Sequence, residues 1–192
     1  MFKKLITILL FCLILVSCKS KLVITDNDVH KTEKVSYVYQ KKLTNDERKH
    51  FAKKLNVAPE EITNEKLYNF IKSWEETTYL YGGDTKNGID CSSLMQYLYK
   101  YLHNVDLPRT SAEMGFDSRI KLFKSMDELQ EGDLVFFRIN EEKVISHVGV
   151  YLKNDIFFSA VSSEGCSMAS LKKLYWKKSY IGGGRLRSLY KK

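Results

Sequence analysis

Apolar residues recur at three- and four-residue steps in several stretches of the first half of the chain, which is the spacing of helices with one buried face. This spacing predicts helices over residues 45–55, 67–74 and 91–102. Thr44 or Asn45 is placed to cap the first of them, because a short polar side chain can accept hydrogen bonds from the first turn. The first half is therefore predicted to be helical.

Beyond Gly132 the pattern changes to short apolar or alternating runs, separated by clusters of turn-forming residues. The predicted strands are Leu134–Phe137, Val144–Leu152, Ile156–Val161, Cys166–Ala169 and, after three consecutive glycines, Arg185–Leu189. Helices followed by an antiparallel meander predict an α+β fold.

The two halves are joined by a break at Leu107-Pro108-Arg109 and a capping box. In this box Thr110 is the N-cap and Glu113 is the third helical residue, so each can bond the other's backbone N–H. We expect Arg109 to close a local salt bridge.

The pattern of residues 1–18 is that of an export signal. Lys3 and Lys4 precede an apolar run from Leu5 to Val16. This run is too short for a membrane-spanning helix, which needs about 20 residues, but it fits the core of a signal peptide. The segment ends Leu-Val-Ser-Cys at Cys18, which resembles the lipobox of bacterial lipoproteins. That resemblance implies a lipidated Cys18 and a membrane-anchored protein of the cell envelope; an ordinary secretory signal is the alternative.

Removal of this segment changes the charge balance. The chain has 31 Lys and Arg against 23 Asp and Glu, and without Lys3 and Lys4 the formal charge falls from +8 to +6. Residues 19–44 are polar and are predicted to be a tether, 45–65 a helical extension and 66–192 one domain. A basic surface in the envelope favours an anionic polymer or lipid headgroups as neighbours, or serves solubility alone.

The candidate chemistry begins at Asp90-Cys91. Asp90 is suited to cap the helix that starts at Cys91, and a thiol at the positive end of a helix has a lowered pKa and a larger reactive thiolate fraction. We therefore expect a nucleophilic cysteine. The alternatives are a buried structural thiol or a disulfide with Cys166, which export would permit.

A second candidate residue, His147, lies in a predicted strand. By alternation it shares a face with Gly149 and Tyr151, and the small glycine leaves room for another group. A histidine beside a helix that starts with cysteine can act as a general base for the thiol. No close Cys/His pair starts a zinc site, so no metal or cofactor is expected.

Four sequence motifs that follow one another along the chain give these candidate residues a specific context. They are Tyr-x-Tyr-Gly-Gly followed by Gly-Ile-Asp-Cys-Ser, then Leu-Pro-Arg-Thr-Ser-Ala-Glu, Glu-Gly-Asp-Leu-Val-Phe-Phe and Ser-His-Val-Gly-Val-Tyr. Over about residues 66–187 the chain resembles the NlpC-type cell-wall peptidases, papain-like cysteine enzymes that cut peptidoglycan stem peptides. The resemblance implies a papain-like fold with the helix of the nucleophile packed on an antiparallel sheet.

The resemblance also implies a role for each matching residue. Cys91 is the nucleophile, His147 the base, and Tyr79 stabilises the oxyanion together with the Cys91 backbone N–H. Asp90 and Ser92 help to bind the free amine of the stem peptide. The implied substrate bond joins γ-D-glutamate to a diamino acid, and no nucleic-acid partner is expected.

The chain departs from the family at two positions. The third catalytic position, commonly His, is Ser159, whose hydroxyl can orient the imidazole but carries no charge. Ser93 replaces a usual glycine and is expected either to narrow the cleft or to face solvent. We expect slower catalysis from Ser159. A binding module with weakened catalysis, or an envelope amidase or acyl transferase, are the alternatives.

Overall fold

A computed structural model of the chain describes residues 42–139 and 144–190. The predicted signal segment 1–18, Cys18 and most of the predicted tether lie outside these residues. Within them, no helix is long and apolar enough to cross a membrane.

The helices of the first half have the predicted positions and caps. Thr44 caps the first helix and accepts a bond from the N–H of Glu47, and Thr110 and Glu113 form the predicted capping box. A short helix near the C-terminal end was not predicted. The helices are α1 Asn45–Leu55, α2 Glu65–Trp74, α3 Cys91–His103, α4 Ser111–Phe116 and α5 Leu174–Ser179, with 3₁₀ turns at Pro59–Glu61, Met126–Glu128 and Arg187–Leu189.

The strands are β1 Asp84–Thr85, β2 Gly88–Ile89, β3 Ile120–Phe123, β4 Leu134–Phe137, β5 His147–Tyr151, β6 Ile156–Val161, β7 Gly165–Ser170 and β8 Tyr180–Leu186. Strands β3 to β8 form one antiparallel sheet in the spatial order β3-β8-β4-β5-β6-β7. Strands β4 to β7 are the predicted meander, and β8 inserts between β3 and β4. A small hairpin, β1 and β2, precedes α3.

Two strand predictions were wrong in their bounds. The second strand begins only at His147, and the last strand runs over Tyr180–Leu186 instead of 185–189. The three glycines that the prediction placed before the last strand lie inside β8. A Cβ at Gly183 would meet the Phe123 ring and Leu129 at under 3.0 Å, because β8 is covered closely where it lies between β3 and β4. Glycine is used here for close packing, and not for a turn.

The two faces of the sheet are covered differently. Val148 and Val150 face α3 in the main core, on the side of β5 opposite to the one that the alternation assigned to His147. The opposite face forms a smaller aromatic cluster under α5, made of Val135, Phe137, Phe157, Leu171 and Trp176. The α+β fold with α3 packed on an antiparallel sheet is therefore confirmed.

Gly183→Ala tests the close packing of β8. The added methyl group would overlap Phe123 and Leu129, and overpacking of a filled core costs about 1–3 kcal/mol of unfolding free energy. Urea denaturation followed by circular dichroism measures this loss. The exposed Lys178→Ala should change the free energy of unfolding by less than about 0.5 kcal/mol. Equal stability of the Gly183 variant and wild type would contradict the packing of β8.

Candidate active site

Cys91 is the first residue of α3, and Asp90 is its cap. The Asp90 carboxylate accepts a 2.7 Å bond from the N–H of Ser93, so the predicted cap is confirmed. The helix begins here because this short carboxylate satisfies donors that have no partner inside the helix. Only 8% of the Cys91 surface is exposed.

The Asp90 carboxylate also binds the segment that follows α3. Arg109 donates from Nη2 to one carboxylate oxygen at 2.6 Å and from Nη1 to the other at 3.1 Å. The same Nη1 donates to the Ser92 hydroxyl at 2.8 Å, and that hydroxyl donates to Asp90 at 3.0 Å. The predicted salt bridge of Arg109 is therefore confirmed, with Asp90 as its partner.

The balance of these contacts decides the charge of Asp90. Burial alone would raise the pKa of its carboxyl, but bonds from Arg109, the Ser93 N–H and Ser92 outweigh burial and hold the pKa below its usual value. Asp90 is therefore ionised at neutral pH.

Residues 76–80, which we call the strap, connect the sheet to the start of α3. At one end Thr77 and Glu76 form backbone bonds of 2.9 and 3.1 Å with Cys166 of β7. At the other end Leu80 donates to the carbonyl of Ile89 at 3.1 Å, two residues before Cys91. Tyr79 therefore lies between the two layers of the fold.

His147 is the first residue of β5 and is 5% exposed. Its Nε2 lies 2.8 Å from the hydroxyl oxygen of Ser159, which is itself 1% exposed. The imidazole also packs near two aromatic rings, with centroid distances of 5.8 Å to Phe137 and 5.4 Å to Trp176. Trp176 was not predicted near the site, because only the chain's return through α5 brings it there.

The structure brings the sulfur of Cys91 to the strand of His147. The backbone N–H of Val148, the next residue of β5, bonds the thiol and favours its ionised form. Tyr79 is half-buried nearby, and its pKa is raised first by burial and then by the negative charges of Asp90 and of Cys91 in its ionised form. A cleft of about 250 Å³ opens beside Tyr79 and His147, and Trp176 also lines it.

Burial sets the resting charge of both groups. It raises the pKa of the Cys91 thiol to about 11, although nearby backbone N–H groups oppose the shift, and it lowers the pKa of His147 to about 4. The prediction of a low thiol pKa was therefore wrong for the resting protein. Burial raises the pKa of Cys91 by more than the N–H groups at the start of the helix lower it. At neutral pH the pair is a thiol and a neutral imidazole.

The remaining predictions about this region have mixed outcomes. Both Cys91 and Cys166 are free thiols, so the alternative of a disulfide between them is excluded. Ser93 is 1% exposed, so it does not face solvent, and its hydroxyl has no hydrogen-bond partner among the residues that the structure describes. The amine-binding role of Asp90 and Ser92 stays a prediction, and both side chains are already bonded to Arg109.

Known proteins share the part of the chain that carries this site. A probable endopeptidase NlpC homolog of Haemophilus influenzae is 41% identical over 120 residues, which are 62% of this chain and 61% of the relative. The Escherichia coli K12 protein named murein DD-endopeptidase MepS/murein LD-carboxypeptidase is 36% identical over 115 residues, 60% of this chain and 58% of that protein. The match thus spans less than two thirds of either relative.

A solved structure shares the fold. It is a Staphylococcus aureus protein described as similar to lipoprotein, NLP/P60 family, with a TM-score of 0.55 and 28% identity, and the match covers 62% of this chain and 40% of that chain. The papain-like arrangement that the resemblance implied is therefore confirmed. The sequence model of the NlpC/P60 family matches residues 76–185, from the strap to β8. Because this match covers more than half of the 192 residues, the chain belongs to the NlpC/P60 family.

Proposed function

We propose that the protein is a peptidoglycan endopeptidase that uses Cys91 as nucleophile and His147 as general base. The observation that carries the proposal is the contact of the Cys91 sulfur with the backbone N–H of Val148, the residue that follows His147, whose imidazole Nε2 lies 2.8 Å from the Ser159 hydroxyl. Relatives named endopeptidases, including one named for murein, support the substrate class.

The proposed reaction starts from the neutral pair. As the sulfur attacks the acyl carbon, its proton moves to Nδ1 of His147, while Nε2–H donates to the Ser159 hydroxyl. The S–C bond forms and the carbonyl oxygen becomes an oxyanion, which the Cys91 N–H and the Tyr79 hydroxyl stabilise. The carbonyl re-forms as the C–N bond breaks, and the amine takes the proton from the imidazolium. Water then attacks the thioester while His147 takes its proton. The C–S bond breaks, and the proton returns to the Cys91 sulfur.

Two stem-peptide bonds are candidates for cleavage. The resemblance implies the bond from γ-D-glutamate to a diamino acid. The relative named murein DD-endopeptidase makes a D,D bond of murein the second candidate. The Cys-His pair itself fixes only acyl transfer chemistry.

We further propose that the protein is a lipoprotein of the cell envelope, anchored through lipid on Cys18. The support is the sequence of residues 1–18, with two lysines, an apolar core and the lipobox-like end. An anchor of this kind would place the basic domain near its anionic polymer substrate.

Digestion of purified sacculi tests the activity. Wild type should release peptides with new amine ends, measured by chromatography and mass spectrometry, and Cys91→Ala should release none because the thioester cannot form. Cys166→Ala is the matched control, since this second buried thiol lies outside the proposed reaction and should retain activity. Identical, empty traces from wild type and Cys91→Ala would leave only a binding module.

The resting charge of the pair predicts how Cys91 reacts with iodoacetamide. Because its pKa is about 11, the thiolate fraction and the alkylation rate should rise about tenfold per pH unit from pH 7 to 10. Mass spectrometry of the Cys91 peptide after timed quenching measures the rate and separates it from Cys166. A rate that is already constant between pH 5 and 8 would indicate a preformed thiolate–imidazolium pair, and would contradict the neutral one.

Ser159→Ala tests the orienting hydroxyl. Loss of one hydrogen bond worth about 0.5–1.5 kcal/mol should lower kcat about 2- to 12-fold and leave KM nearly unchanged. Steady-state assays on a soluble stem-peptide substrate measure both constants. The control is Ser167→Ala, the cross-strand neighbour of Ser159 that bonds Glu164 instead of His147. An unchanged kcat in the folded Ser159 variant would remove this residue from the mechanism.

A further inference from the structure

We propose that the outward face of α5 binds the anionic headgroup surface of a lipid membrane. This inference goes beyond the proposed function, because it involves neither the reaction of Cys91 nor the lipid on Cys18. The partner is defined by its chemistry, which is negative charge at the surface and an apolar layer directly beneath it.

The positive charge of the chain is concentrated at its C-terminal end. Residues 165–192 contain six Lys and two Arg but no Asp or Glu, so this segment has a formal charge of +8. The whole chain has 31 basic and 23 acidic residues, and residues 1–164 therefore hold 23 of each and have no net charge. Charge asymmetry of this kind is typical of proteins that bind nucleic acid or membranes. The export signal predicted in residues 1–18 favours a membrane.

Four of these cations lie at α5. Lys172 and Lys173 precede the first turn of the helix, Lys177 and Lys178 lie in its last turn, and all four are exposed. Lys172 forms a 2.7 Å ion pair with Asp155. Lys177 and Lys178 have no ion-pair partner within the part of the chain that the structure describes. Their charges are therefore available to the phosphate groups of lipids.

The geometry of α5 puts an apolar side chain on the same face as a lysine. Trp176 is buried against Phe137 and Phe157, with its ring centroid 4.9 Å from each of theirs, and this anchors one side of the helix to the sheet. Leu174 and Lys178 are each two residues from Trp176, which at about 3.6 residues per turn places both on the opposite side. The outward face therefore presents an aliphatic residue and a cation one turn apart.

Two large apolar side chains of α5 are left in solvent. Leu174 is 65% exposed and Tyr175 is 55% exposed. An anionic polymer in water would neutralise the lysines but would leave Leu174 uncovered. A membrane interface binds the lysines at the headgroups and buries the leucine in the layer below them, and tyrosine is enriched at the same depth. Charge and apolar exposure on one face thus favour lipid over a polymer.

The same helix borders the catalytic cleft. Tyr175 and Trp176 line this cleft together with His147. A domain bound through α5 would therefore hold the cleft at the membrane surface, in an orientation that a polar tether alone does not impose. The proposed lipid on Cys18 would raise the local concentration of the domain at the membrane and so support this second contact.

Co-sedimentation with vesicles tests the inference. The protein is residues 19–192 without lipid, because the apolar core of the predicted signal segment would itself enter a bilayer. Wild type should bind vesicles of phosphatidylcholine with anionic phosphatidylglycerol, and should not bind vesicles of phosphatidylcholine alone. The variant Lys177→Gln/Lys178→Gln should bind the anionic vesicles about 25-fold more weakly, since each lysine near such a surface contributes about fivefold to the affinity.

Leu174→Ser tests the apolar part of the contact. Loss of the leucine from the layer below the headgroups should weaken binding about tenfold. Two matched controls should bind like the wild type. Lys49→Gln/Lys53→Gln removes the same charge from the exposed side of α1, and Phe116→Ser removes an exposed apolar side chain from α4. Circular dichroism checks that each variant is folded.

Absence of wild-type binding to the anionic vesicles, or equal binding of wild type and the Lys177→Gln/Lys178→Gln variant, would overturn the inference. An equal loss in the α1 control would also overturn it, because net charge alone would then explain binding. Lysine-dependent binding that Leu174→Ser leaves unchanged would reject lipid in favour of an anionic polymer, which pelleting with purified sacculi would identify. Failure of the proposed function is a separate result, since a protein that cleaves no sacculi would still bind the vesicles.

Discussion

The carboxylate of Asp90 holds together the three segments from which the site is built. It caps α3 through the Ser93 N–H, binds the glycine loop through the Gly82 N–H, and pairs with Arg109 in the segment before α4. One buried charge therefore positions the start of the nucleophile's helix and both of its neighbours. Such a group is stable in the interior only because every oxygen has donors, including a cation.

Burial explains the electrostatics of the catalytic pair and its third member together. The rings of Phe137 and Trp176 keep solvent from His147, so the imidazole is neutral at rest. A neutral ring needs an orienting partner more than a counter-charge, and the hydroxyl of Ser159 meets that need. The uncharged third residue, which was unexpected from the family pattern, is thus consistent with a site that separates charge only during attack.

The parts of the site that follow local rules were predictable from sequence. Asp90 predicts a helix start, and alternation around His147 separates its face of the strand from that of Val148 and Val150, which the structure packs into the core. The effects of packing between distant segments could not be predicted from the sequence. Trp176 reaches the histidine through α5, and the low exposure of Cys91 reverses the pKa shift expected from its position. The start of β8 was predicted too late for the same reason, since its glycines are required by the close packing of side chains such as Phe123 and Phe136 against the strand.

The strap connects the sheet and α3 through backbone hydrogen bonds. Its backbone joins Cys166 of the outer strand to Ile89 just ahead of the nucleophile, so the sheet and α3 cannot slide past each other without breaking these bonds. On heating, these strap bonds could break locally while each layer keeps its own hydrogen bonds, and Cys91 and His147 would then lose their alignment. Loss of these few bonds would therefore misalign the two layers without requiring loss of secondary structure in either of them.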